Sequence, residues 1–297
     1  MLAYILSRVV LAKKPSFTRG QGRCIFCGEP GLTKEHIFAE WLHPFLLFAE
    51  WLHPFLPKSD ELNHYDRTVI IQINRDDVEN KLRAGEAHSG RARVVCRKCN
   101  NEWMSVLQTE AKPFLLPLVR GERIPLFIRQ QSILAAWISM FVMVAEHRDS
   151  DRRVIATSPA ARRAFMDTRR APKHWKIWIG HYERHKWVPV VAHSAAEIVS
   201  DTHDGMYAPP NRPVAPNTHA TTFVVGKLFV HVFGSTMPRV LRKQDVPVSG
   251  VSRLWPFWES PIWWPPKVTL TDNDADAIAF AFTNRLKGLR DSRLIEH

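Results

Sequence analysis

The chain has 297 residues, 45% hydrophobic and 24% charged, the make-up of a soluble globular protein long enough to bury a core without disulfide staples. Its 41 Lys and Arg outnumber 29 Asp and Glu, a formal charge of +12, which excludes an acidic solvating chain and favours a polyanionic partner, nucleic acid ahead of an anionic membrane. The opening MLAYILSRVVLAKK lacks a basic start and a small-residue cleavage site and is too short to span a bilayer, so a cytoplasmic, reducing compartment is expected, in which four cysteines serve metal ligation better than disulfides.

Residues 1–20 read as a poorly constrained leader. Residues 21–110 hold both cysteine pairs, Cys24/Cys27 and Cys96/Cys99, each a Cys-x2-Cys knuckle. Between them a ten-residue unit is written twice: IFAEWLHPFL at 37–46 and LFAEWLHPFL at 47–56. A ten-residue step brings a helix 80° short of whole turns, and Pro44 would interrupt it, so two short amphipathic helices are expected rather than one. Only one copy needs to fill the packing position beneath the neighbouring knuckle. His43 and His53 recur with the unit and read as bystanders rather than ligands.

Residues 111–297 read as a helical segment followed by an α+β region. Ile133, Leu134, Trp137, Phe141 and Val144 have helical spacing, which predicts a core helix around 128–147. Thr157 or Ser158 followed by Pro159 predicts a capped helix start over 157–170. Strands are expected at 174–182, at 186–194, and at 221–235, the last a hairpin turning near Gly226-Lys227. LWPFWESPIWWPP at 254–266 holds four Trp and four Pro, and a proline-rich aromatic loop capping a sheet explains it better than base stacking. Thr271 or Asp272 caps a final helix with early acids and late Arg285 and Lys287.

Two Cys-x2-Cys knuckles complete a tetrahedral S4 site, with zinc as the default ion and iron as the alternative. Such a site has no open position and is structural. Bringing the knuckles together also carries KEHI, just after the first pair, towards CNNEW, which overlaps the second. A carboxylate, an imidazole and an amide then converge. Glu35 and the side-chain oxygen of Asn100 can hold a hard divalent ion, Mg2+ or Mn2+, that polarises a scissile phosphate. His36, neutral near pH 7, can take a proton from the attacking water.

CIFCGEPGLTKEHIF followed by VVCRKCNNEWMSVL resembles the HNH endonuclease family in its four-cysteine branch. The resemblance covers about 24–110. It implies an N-terminal zinc-stabilised ββα-metal finger, ahead of a helical segment and a mixed antiparallel-strand and helix C-terminal domain. It implies His36 as general base, Glu35 and Asn100 as ligands of the catalytic ion, and Cys24, Cys27, Cys96 and Cys99 as ligands of structural zinc. Two departures stand out. Ala39 and Ala49 lie where the family often has a proline. The family's middle asparagine, which orients the base, has no counterpart in EAHSGRARVVC, leaving His88, Asn80, Asn74 and Asn63 as candidates. The expected activity is metal-dependent hydrolysis of phosphodiester bonds in double-stranded DNA, with Arg91, Arg93, Arg97 and Lys98 meeting phosphates. The alternatives are a catalytically inactive zinc-stabilised nucleic-acid-binding protein and, more weakly, a protein-interaction module built on the Trp-rich region.

Overall fold

Alternating apolar side chains on strands and wide apolar stripes on helices favour helices packed on the faces of a sheet, and the molecule is a mixed α+β fold of that kind. The computed structural model describes residues 7–10, 22–36, 38–46, 65–71, 78–84, 91–147, 155–184, 186–187, 191–200, 216–246, 248–258 and 260–294. In chain order the elements begin with β1 (Ser7–Val10) and β2 (Leu32–His36). A 3-10 turn (Glu40–Leu42) then runs into the short α1 (His43–Leu46), followed by β3 (Tyr65–Ile71), β4 (Val78–Ala84) and β5 (Arg91–Cys96). One helical turn (Arg97–Cys99) and a π turn (Asn100–Met104) lead into α2 (Ser105–Arg120), then β6 (Ile124–Leu126), α3 (Ile128–Ala145) and α4 (Pro159–Thr168). The remainder is β7 (Trp175–Tyr182), β8 (Val191–Ser200), β9 (Thr218–Val225), β10 (Leu228–Ser235), α5 (Pro238–Lys243), β11 (Val251–Trp255), β12 (Ile262–Trp264), β13 (Thr269–Leu270) and α6 (Asp272–Leu294).

The hairpin β9–β10 forms the centre of the main sheet, whose order is β11-β7-β10-β9-β8-β3-β4, with β1 also on β8 and β13 on β7. Its two-residue turn needs a positive φ, and Gly226 supplies it at +54° with its backbone pressed on the Val119 carbonyl. Both hairpin strands are buried on both faces. Phe223, Val225, Leu228, Val230 and Val232 face one way and join the core under α3. Ala220, Val224, Phe229 and Phe233 face the other, where Phe282 of α6 meets Phe233 with ring centres 5.6 Å apart. On the α3 side Phe141 packs at a tilt against Phe223 at 4.2 Å and against Phe38 at 4.9 Å. One continuous core therefore runs from the cysteine pairs through α3 into the sheet.

The predicted core helix is α3, buried along nearly its whole length after Leu134. It is long and apolar enough to cross a membrane, but its apolar surface is spent inside the fold. Ser158 caps α4 by accepting the Ala161 N–H at 3.2 Å. Thr271 and Asp274 cap α6 reciprocally: Thr271 N donates to Asp274 Oδ2 at 2.9 Å and Asp274 N to Thr271 Oγ1 at 3.2 Å. The strand expected at 186–194 instead begins at Val191 and extends to Ser200. Lys186 and Trp187 are drawn out of the sheet's line because both bond Asp276 on α6, at 2.6 and 2.9 Å. In the Trp-rich stretch, Trp264 is buried as β12 pairs with β6, and Trp255 donates to the Pro172 carbonyl at 3.0 Å. Trp258 and Trp263 stay 76% and 69% exposed, so half of this stretch caps the fold and half faces solvent.

Candidate functional site

The first knuckle is a tight turn. Gly28 N donates to the Cys24 carbonyl at 2.9 Å, and Gly28 holds φ at +80°, a conformation that costs a side-chain-bearing residue. Ile25 N donates to the Val94 carbonyl at 2.9 Å, which fastens this turn to β5. The second knuckle is the end of β5 and the helical turn after it, and Cys96 Sγ accepts the Cys99 N–H at 3.5 Å as an N-cap. Antiparallel pairing of β2 with β5 sets Leu32 opposite Cys96 and so superposes the two knuckles.

All four sulfurs lie within 4.8 Å of one another, and Cys27 and Cys96 are 3.5 Å apart. A tetrahedral ion with 2.3 Å bonds spaces its sulfurs by about 3.8 Å, so the cluster fits zinc. None of the four is in a disulfide. Burial pushes the Cys27 thiol up and the Cys99 thiol well above the ordinary range, with Trp103 opposing at Cys99. At Cys24 burial also pushes upward, but backbone donors at Cys27, Cys96 and Phe26 outweigh it and hold that thiol low. Four crowded sulfurs cannot all ionise without a cation, and a divalent ion supplies that charge.

Beside the sulfurs opens a cleft of about 570 Å3. His36, the last residue of β2, and Asn100, the first of the π turn, both line it. A bulge places one extra residue on β5 between the Thr33 and Glu35 pairings, where it re-aims the end of β2. His36 Nδ1 is 3.5 Å from Glu40 Oε1, and its ring meets the His43 ring edge-on at 5.0 Å. His43 Nε2 lies 3.3 Å from the Phe38 carbonyl. Glu35 pairs with Ala92 and Arg91 with His36 through the backbone; their side chains lie outside the described residues. Arg93, Arg97 and Lys98 are exposed around the second knuckle. Asn63, Asn74 and His88 lie outside the described residues, and Asn80 is placed on β4 opposite Val69.

Protein-family models, curated proteins and solved structures give no match to this chain. The reading of the cleft therefore rests on its own residues.

The first copy of the repeat builds one wall. Phe38, Leu42 and Leu46 are buried, and Glu40 and Trp41 line the cleft. The second copy lies outside the described residues. Trp41 Nε1 and Trp137 Nε1 both donate to Gln108 Oε1 at 3.3 Å, and Lys112 sits over the Trp41 ring at 5.5 Å. Gln108 and Lys112 were not among the residues that motif reading selects. Their signal is periodic: Asn100, Met104, Gln108 and Lys112 recur every fourth residue and form one helix face into the cleft.

Proposed function

We propose that the chain is a metal-dependent endonuclease of the HNH type that hydrolyses phosphodiester bonds in DNA. The observation that carries this reading is the cleft itself: His36 and Asn100, far apart in sequence, line one opening next to the four-sulfur cluster. The order strand β2, strand β5, helix, with the knuckles at its base, supports the ββα-metal reading.

In this reading zinc on Cys24, Cys27, Cys96 and Cys99 is a rivet that fixes the two strands and the helix start. Glu35 and Asn100 offer the oxygen donors that a hard divalent ion takes, and Mg2+ or Mn2+ bound there supplies charge to the phosphate and the leaving oxygen. His36 removes the proton from the attacking water. Glu40, beside Nδ1, favours the tautomer with its proton on Nδ1 and its lone pair on Nε2, the orienting task that the middle asparagine performs in the family. Arg93, Arg97 and Lys98, with Arg91, offer cations for the DNA backbone, in keeping with the +12 charge.

The test is nicking of supercoiled plasmid with Mg2+ or Mn2+ by the intact protein and by His36→Ala. Loss of the general base is expected to slow cleavage by roughly 10²–10⁴-fold while zinc content is unchanged. Equal cleavage by both proteins marks a contaminant. No cleavage by either, with DNA binding retained, replaces this reading with the zinc-stabilised binding protein.

A further inference from the structure

Away from the cleft, the α3 side of the sheet buries three ligating side chains that the proposed reaction does not use. Glu146, directly after α3, is 4% exposed, His193 on β8 is 7% exposed and His219 on β9 is 2% exposed. The register explains their meeting. His193 pairs with Thr221 and Ala195 with His219, so the two imidazoles are diagonal neighbours on one face, 5.9 Å apart between ring centres. One ligand atom from each of the three lies within 4.8 Å of the others.

His219 is the decisive member. Neither of its ring nitrogens has a hydrogen-bond partner among the described residues, although the ring is fully buried. Buried ring nitrogens are ordinarily satisfied. Its Nδ1 is 4.0 Å from Glu146 Oε1, too far for a hydrogen bond. Two metal bonds of about 2.0–2.2 Å bridge these atoms after a sub-ångström movement. The ring is also cradled: Trp175 packs on it at 4.7 Å, and any side chain at Gly234 would overlap it.

The surrounding bonds match those that orient metal ligands. Thr157 holds both Glu146 oxygens, donating from Oγ1 at 3.0 Å and from N at 3.3 Å. Thr221 Oγ1 is 2.8 Å from His193 Nδ1, which fixes that ring. Arg162, whose charge acts on Glu146, gives its hydrogen bonds to the Thr157 and Ile25 carbonyls.

We propose that Glu146, His193 and His219 hold a second divalent transition-metal ion, zinc in preference, that clamps the end of α3 to β8 and β9. Two imidazoles and one carboxylate suit zinc and leave its fourth position to a water, while burial of all three side chains holds the ion inside the fold.

The test uses the full chain, purified from zinc-supplemented culture and dialysed exhaustively. Elemental analysis is expected to give two zinc ions per chain, and zinc X-ray absorption to show sulfur at about 2.3 Å together with nitrogen or oxygen at about 2.0–2.1 Å. His219→Gln and Glu146→Gln are each expected to bring the count to one and leave a sulfur-only shell. One ion per chain with a sulfur-only shell in the unaltered protein overturns the site and leaves a buried polar pocket. Two ions that persist in both variants assign the second to the surface and overturn it equally. Should the variants fail to fold, the unaltered protein still decides, because a second ion without an imidazole signature sinks the assignment.

Discussion

At the scale of single residues, Trp103 links the sulfur cluster to the core. Its ring meets Phe26 at 4.9 Å and Phe165 at 5.9 Å, while the Arg169 guanidinium covers it at 4.3 Å. Its buried indole N–H has no hydrogen-bond partner among the described residues, and its dipole works against the burial that pushes the Cys99 thiol up. Trp103→Phe keeps an aromatic ring in place and removes only that N–H. Zinc affinity, read by competition with a chromogenic chelator, is expected to fall by no more than about 10-fold, the low end for an outer-shell partner, because no formed hydrogen bond is lost. His231 carries a different prediction. It lies on the α6 side of the sheet, shares a 2.7 Å hydrogen bond with Thr222 and is fully buried, and burial pushes its pKa down to about 3. The unfolded chain takes up this proton near pH 6.5 while the folded chain does not. Between those values the unfolded state binds more protons, so stability rises with pH and is lost on acidification, by about 1.4 kcal/mol per pH unit from this group. Urea midpoints measured from pH 7 to pH 4 are expected to fall less steeply in His231→Gln.

At the scale of elements, the first copy of the repeat is fixed by packing. Leu42 is fully buried and Phe38 lies against Phe141. Leu42→Ala is expected to cost about 2–5 kcal/mol in urea denaturation, the usual range for a buried leucine. A loss below about 1 kcal/mol would show that Leu42 does not support the wall of the cleft. Helices and turns governed by local rules are legible in the sequence: the apolar spacing of α3, the Ser158 cap, the Gly226 turn and the Thr271 cap all stand where propensity puts them. The start of β8 is not legible, because Lys186 and Trp187 answer to Asp276, ninety residues away in the chain. The π turn at Asn100–Met104 is equally hidden, although such insertions gather at functional sites.

At the scale of the whole molecule, the sulfur cluster is legible because its spacing is a motif, whereas Glu146, His193 and His219 come from separate elements and only the sheet register unites them. Side-chain packing makes the cysteine pairs part of the main core. Arg162 on α4 donates to the Ile25 carbonyl at 2.9 Å, Phe26 lies under Trp103 and Phe165, and buried contacts continue through α3 to Trp175 and Phe223. Without an ion the four crowded thiols have no common partner at one end of that core, and the free energy of metal binding at such a cluster is folding free energy. The Cys96→Ser, Cys99→Ser double variant is therefore expected to lose more than the packing around the cysteine pairs. Its melting temperature should drop, and the near-ultraviolet circular dichroism of buried Trp175, on the sheet, should vanish in the same transition as the rest. A sheet signal that survives at the unaltered melting temperature would show that the cysteine module folds apart from the sheet, and that the continuous core is contact without cooperativity.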